Sequence, residues 1–505
     1  MFDSIIEILK FDPKSPLIFT RFYFWVFFAV VMAGYSVIYQ KKTPRNAYLF
    51  FLSLFFYYKT SGIYFLLLIF STITDFLIAK GIYKAEKQRN RKLLVALSVT
   101  INLFVLSYFK YSYMFVDTVN YIFNTHFTVV NYFNLWTNQF TGGALDIDKI
   151  ILPVGISFFT FQTISYTLDV YRKKIKPVTN ILDFGFYVSF FPQLVAGPIV
   201  RAAEFVPQLY KEYSVTRLEF GFAVFMILNG LLKKLFISDY IAVNFIDRVF
   251  SNPMAYSGFE NLMGLYAYSM QVYADFSGYT DIAIGVALLL GFRLPVNFNS
   301  PYKALHVGDF WKRWHISLST WLKDYLYIPL GGNKHGEFRT NLNLMITMLL
   351  GGLWHGNTWQ FVIWGGLNGA GLVVYKFWRK ISPFKGNHHW AVRFYAIFLT
   401  FNFITMTRIW FRSETMDKAN AMINQIVYAF DVSKIPEMII GYKNVFALLL
   451  FAFIVHWLPA PFKKWYKETF ANMPLWLMVL VVVFVVLVIY QFQTADLQPF
   501  IYFQF

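Results

Sequence analysis

The chain has 505 residues, 57% of them hydrophobic and 14% charged, with a mean hydropathy of +0.47. Soluble domains carry about 25% charged residues, so this composition excludes an ordinary water-soluble globule. Lys and Arg outnumber Asp and Glu by 45 to 27, a net +18. In a soluble chain that excess would suggest a nucleic-acid partner. Here the basic residues are read as loops between apolar blocks, the positive-inside pattern, so the expected partner is a lipid bilayer and no nucleic acid. Cys is absent, which excludes disulfides, a thiolate nucleophile and Cys-ligated metal. Neither H-E-x-x-H nor G-x-S-x-G occurs, so zinc and serine hydrolase signatures are missing and no metal is expected.

In chain order, Asp3, Glu7, Asp12 and Lys14 interrupt the N-terminus, and no signal peptide is expected there. Apolar blocks at 48–58 and 64–74 are separated by Thr60-Ser61-Gly62 and read as two short spans. Lys41, Lys42 and Arg45, then 80–92, then 172–176 are basic and mark the cytoplasmic face. The N-terminus then lies outside, and 113–148 forms an external loop. Lys376 to Lys385 and 463–468 mark the same cytoplasmic face further on. Spans near 391–411, 444–459 and 474–492 carry the C-terminal tail outside. The block at 475–492 has no charge and is close to the roughly 20 residues a crossing needs. No internal repeat is visible, and 1–505 reads as one polytopic membrane domain.

The centre, 181–360, is broken by Pro192, Pro198, Pro295, Pro301 and Pro329. Broken backbone at membrane depth survives only when buried in protein or lining a wet cavity, so the functional site is sought there. Asp275 and Asp281 lie in the apolar stretch 273–292. Buried carboxylates need partners. They either hold re-entrant backbone, paired with Arg293 or Lys303, or serve a site. The stretch 309–332 places Trp311, Trp314, Leu318, Trp321, Leu322 and Tyr325 at helical spacing, which reads as an amphipathic interfacial helix containing His315. The stretch 353–369 reads as a long apolar helix opened by His355, with Gly352, Gly356, Gly365 and Gly369 spaced for close packing. At a helix start, burial and the positive helix end would keep such a His neutral and basic. A structural histidine fits the residues as well.

Taken together, LPVGISFFTFQTISYTLDVYR (152–172), FFPQLVAGPIVR (190–201), QVYADFSGYTDIAIG (271–285), NFNSPY (297–302), DFWKRWHISLSTWLKDYLYIPLGGN (309–333) and LWHG (353–356) resemble the membrane-bound O-acyltransferase superfamily. The nearest likeness is to its bacterial alginate and peptidoglycan O-acetyltransferase branch. The likeness runs over 45–370, with 390–492 as C-terminal transmembrane helices. It implies an all-α integral membrane protein of about 10–12 transmembrane helices, with re-entrant and interfacial helices, around a central tunnel. His355 matches the family's near-universal histidine and His315 its second. Asp275, Asp281, Asp324, Trp354 and Asn357 are supporting candidates.

The resemblance also implies an activity. An acetyl group passes from a cytoplasmic thioester, acetyl-CoA, across the bacterial inner membrane to a cell-envelope or exported polysaccharide such as alginate. An exported SGNH-hydrolase-like partner makes the final transfer. A D-alanyl transferase fed by a carrier protein and a polysaccharide or lipid transporter are the alternatives. The ending PFIYFQF places Phe500, Tyr502 and Phe505 in an F-x-Y-x-x-F pattern within the tail 493–505. This looks like the acyl-carrying motif of the small peptide that serves the D-alanylation member, and implies a relay role for Tyr502. An aromatic interfacial anchor is the alternative.

Overall fold

Capping chemistry written into the sequence starts the two helices that organise the centre. In a computed structural model, which describes residues 9–143, 145–492 and 498–501, Thr216 and Glu219 form a reciprocal capping box ahead of Arg217–Leu231. Ser257 and Glu260 do the same ahead of Gly258–Leu289. Each box satisfies two orphan N–H groups and is worth about 1 kcal/mol. The regular structure of the described residues is all helical, with no strand among them.

Gly258–Leu289 is the hub. Its 32 residues supply Tyr279, Ile282 and Val286 to one buried cluster and Tyr268, Met270 and Val272 to another. The first cluster holds the N-terminal half, with Phe24, Phe56, Phe159 and Phe191 at its centre. The second holds Tyr302, Trp314, Trp364 and Phe411. Glycines let the hub approach its neighbour. A methyl at Gly230 would come within 2.5 Å of the Gly278 oxygen, and one at Gly278 within 2.8 Å of the Gly230 oxygen. Gly352 and Gly365 face each other in the same way, so the spacing expected for close packing joins Gly336–His355 to Trp359–Ile381.

Four described helices are long and apolar enough to cross a membrane, or six if each bent pair counts as one. The other helices are shorter or more polar. On Leu475–Phe492, Trp476, Val479, Leu480, Phe484 and Leu487 are each more than half exposed. An apolar face of that size is stable against lipid rather than water. The expected spans at the C-terminal end appear as Trp390–Arg412, Lys443–Trp457 and Leu475–Phe492.

Several expectations are corrected. The two short spans around Gly62 are one 43-residue run, Lys42–Lys84, because the glycine takes up a local break without reversing the chain. Helix Gln88–Phe123 runs well into the stretch expected to be external loop. The interfacial helix at 309–332 is broken into Val307–Arg313, Ile316–Leu322 and a π-helical turn, Lys323–Tyr327. Its aromatic residues Trp314, Trp321 and Tyr325 are buried in the protein core. Basic residues are not confined to loops either: Lys110, Lys234 and Arg408 are buried within helices.

Candidate active site

His355 does not open a helix; it closes Gly336–His355. The helix breaks at Gly356 rather than before His355, so the positive-end argument for this histidine fails. The last carbonyls of a helix lack intrahelical partners. Here they are met from Gln88–Phe123. Lys110 donates to the Trp354 oxygen at 2.6 Å and the His355 oxygen at 3.1 Å, and the Tyr111 hydroxyl donates to the Leu353 oxygen at 2.7 Å. A cation there complements the negative end of the helix dipole. His355 is 3% exposed, with Trp364 and Phe411 edge-on at 5.1 and 5.4 Å.

His315 sits at the break between Val307–Arg313 and Ile316–Leu322, at φ 44 and ψ 56. That left-handed backbone costs a non-glycine residue about 1–2 kcal/mol. The segments 297–302 and 190–201 hold it. Ile316 N donates to the Asn297 main-chain oxygen at 3.0 Å, and Ser317 N donates to Asn297 Oδ1 at 3.0 Å. Ser317 Oγ in turn accepts from Ile199 N at 3.0 Å. His315 is fully buried, edge-on to Phe276 at 4.6 Å.

The two imidazole centroids are 6.4 Å apart, at 62°. A general base must come within about 3 Å of the atom it deprotonates, and this separation lets one small reacting group touch both rings. Beside them lies a cavity of about 20 Å³ lined by His355, Asn368 and Arg408, by Phe276 and Trp314, and by Ile501 from the chain's far end. That is room for roughly one water-sized group.

Arg408 was not anticipated. It is 4% exposed, stacks 5.0 Å from Trp314, and donates to the Tyr302 hydroxyl at 2.9 Å. Among the described residues it has no carboxylate in an ion pair. Lys110 and Lys234 were also missed. Each interrupts an apolar stretch, at 108–115, 231–236 and 405–411, and an intramembrane charge is itself a signal of a site.

The remaining candidates divide. Trp354 adjoins the histidines and donates from Nε1 to the Ser157 oxygen at 3.3 Å. Asp275 lies one residue from Phe276, but its partner is Lys234, at 2.6 Å. Asp281 is held by Lys233 at 2.7 Å and Asn229 at 2.6 Å, away from the cavity. The expected alternatives are otherwise engaged: Arg293 pairs with Glu219, and Lys303 donates to the Leu458 oxygen. Asp324 pairs with Arg201 at 2.7 Å and accepts at its main-chain oxygen from Arg172 at 3.2 Å. Asn357 lines a larger open cleft of about 610 Å³ with Tyr113, Asp117 and Trp359. No cluster of metal-ligating side chains occurs among the described residues. Tyr502 and Phe505 lie outside the described residues.

Comparison with known proteins identifies the family. The sequence model of the membrane-bound O-acyltransferase family matches residues 50–413. The chain is 35% identical over 458 residues to a peptidoglycan O-acetyltransferase of Helicobacter pylori, covering 85% of this chain and 82% of that one. It is 38% identical over 349 residues to the probable alginate O-acetylase AlgI of Pseudomonas aeruginosa, covering 68% of this chain and 61% of that one. A teichoic acid D-alanyltransferase of Bacillus subtilis is 30% identical over 273 residues, covering 51% and 67%. The rings of His315 and His355, brought 6.4 Å apart by motifs far apart in sequence, therefore lie in an acyl-transfer enzyme, and the chain is a member of the membrane-bound O-acyltransferase family.

Proposed function

We propose that the chain moves an acetyl group from cytoplasmic acetyl-CoA across the bacterial inner membrane, for O-acetylation of a cell-envelope or exported polysaccharide. An exported SGNH-hydrolase-like partner completes the transfer. The observation that carries this reading is the convergence of His355, Arg408 and the tail residue Ile501 on one small cavity, with the His315 ring 6.4 Å from that of His355.

The chemistry follows from those groups. The acceptor hydroxyl oxygen attacks the thioester carbonyl carbon, and its proton passes to a ring nitrogen of His355. The carbonyl electron pair moves onto oxygen, facing the Arg408 guanidinium. When the carbonyl reforms, the carbon–sulfur bond breaks and the thiolate takes the proton back from His355. General-base help of this kind is worth about 10²–10⁴-fold, and a preorganised cation in a dry site stabilises the oxyanion. His315, held rigid in its turn, orients the acceptor.

The acceptor in this step is the Tyr502 hydroxyl, whose ester then passes the acetyl group to the external partner. Support comes from Ile501, its neighbour along the chain, which lines the His355 cavity. A phenol with a pKa near 10 needs a base to attack and leaves readily from its ester.

The donor side is supported by Arg172 and Arg201, which gather around Tyr325 at 5.2 and 5.6 Å beside the basic stretch 172–176. A basic rim suits the phosphates of coenzyme A. The identity to a D-alanyltransferase favours a second reading, in which a carrier protein supplies D-alanine. The test is donor-dependent labelling: membranes receive either labelled acetyl-CoA or a D-alanyl-loaded carrier. Label from acetyl-CoA that disappears in His355→Ala supports the proposal. Label from the carrier alone overturns the acetyl donor.

A further inference from the structure

The chain's last described residues are not laid on the surface. Phe500 is 1% exposed and Ile501 4%. Phe500 sits edge-on to Tyr279 at 4.6 Å, and the Lys234 ammonium lies 4.8 Å over the Phe500 ring. Lys234 Nζ donates to the Pro499 oxygen at 3.2 Å. Ile501 N donates to Asp275 Oδ2 at 2.9 Å. The other Asp275 oxygen accepts from Lys234 at 2.6 Å, and Asp239 lies 2.8 Å from the same ammonium.

The helix that carries Lys234 is built for this. Successive side chains on an α-helix diverge by about 100°, since 3.6 residues make a turn. The π-helical stretch Leu232–Ser238 widens the turn. Consecutive Lys233 and Lys234 then both reach the hub helix, one at Asp281 and the other at Asp275. The Gly230–Gly278 contact brings the two helices close enough for both pairs. The second pair also reaches the tail. A carboxylate accepts at both oxygens and an ammonium has three donors. Tail main-chain groups take one position on each.

We propose that Lys234 and Asp275 are positioning residues that form a buried ionic dock for the main chain of Pro499–Ile501. The dock holds the C-terminal segment at the His355 cavity, and it rests on the relay reading only for the use made of that position. Because both contacts go to main-chain atoms, the dock fixes the depth and direction of the tail. The Phe500 ring adds side-chain selection, through its apolar site and the cation above it. A dock of two hydrogen bonds and one ring also releases the tail without unfolding anything else.

The test uses the absence of cysteine from the chain. Ile501→Cys in the full-length protein gives a single thiol, and its rate of modification by a membrane-impermeant maleimide reports tail release. The rate is expected to be slow in Ile501→Cys alone. Asp275→Leu or Phe500→Ala, added separately, should raise it roughly tenfold, the effect of one lost buried interaction. Asp281→Leu, which breaks the neighbouring pair on the same two helices, should leave it unchanged. Equal rates in all variants would overturn the dock. So would an equal rise in Asp281→Leu, because loosened helix packing would then explain the exposure. Acetyl transfer in the same membranes separates the two readings. A faster rate in Asp275→Leu with unchanged transfer to polymer leaves the dock standing and removes the relay.

Discussion

The Lys110 ammonium donates to the main-chain oxygen of His355 at 3.1 Å, so the end of the helix that carries the candidate base is pinned from a different helix. Replacing Lys110 by Met leaves the Trp354 and His355 carbonyls without that partner. Losing one member of a buried pair costs about 1–3 kcal/mol. Lys110→Met should therefore lower acyl transfer more than tenfold at equal protein level, and Lys110→Arg should recover part of it. Unchanged transfer in Lys110→Met would show that the His355 backbone needs no such pin.

His355→Ala should reduce transfer by about 10²–10⁴-fold, the usual worth of a general base. Membranes containing equal amounts of wild-type and variant protein, supplied with labelled acetyl-CoA, give the measurement. Near-normal transfer would remove the base assignment.

His315 makes a more selective test, because its backbone lies at φ 44. Asn tolerates the left-handed region better than Ala does. His315→Asn should fold and insert at normal levels yet lose most transfer, whereas His315→Ala should lose both yield and transfer. Equal losses in the two variants, by yield and by specific activity, would assign His315 to the turn alone.

Arg408→Lys keeps the charge but loses the planar stacking on Trp314, and Arg408→Met loses both. If the guanidinium meets the oxyanion, kcat should fall in the order wild-type, Lys, Met, with KM for the donor little changed. A change in KM alone would place Arg408 in ground-state binding. Changes at Arg172 and Arg201 should do the reverse, raising KM for acetyl-CoA several-fold with kcat preserved, as for a phosphate-attracting rim.

Tyr502→Phe keeps the ring and removes the nucleophile. Transfer to polymer should be abolished while insertion and fold stay intact, measured by polymer acetylation and by protein level. Full polymer acetylation would mean that the group passes directly from the cavity to the partner.

Composition and the uncharged apolar blocks such as 475–492 determined that this chain lives in a bilayer as helices, because so few charges cannot cover its apolar surface in water and a lone apolar block of that length satisfies its backbone in lipid only as a helix. The central region around His315 and His355 was legible for the same kind of reason, and the resemblance picked out the two histidines within it. Broken, proline-rich backbone at membrane depth has to be buried or line a cavity. What the sequence left open was direction and pairing. Whether His355 starts or ends a helix depends on where the chain breaks. That break falls at Gly356, between two apolar helices whose facing ends, 353–369, read as one helix in the sequence. The aromatic side of 309–332 has helical spacing whether it faces lipid or core; the tertiary packing puts Trp314 and Trp321 in the core. Asp275 needed a cation, and the sequence offered several. Only the Gly230–Gly278 approach and the π-helical turn at Leu232–Ser238 bring Lys234 to it. Arg408, nearly a hundred residues from His315 along the chain, reaches the cavity beside His355 because Trp390–Arg412 packs against the hub. Hydropathy is a local sum, and it identified the solvent. Partner choice is a long-range contact, and it was decided only when the helices packed.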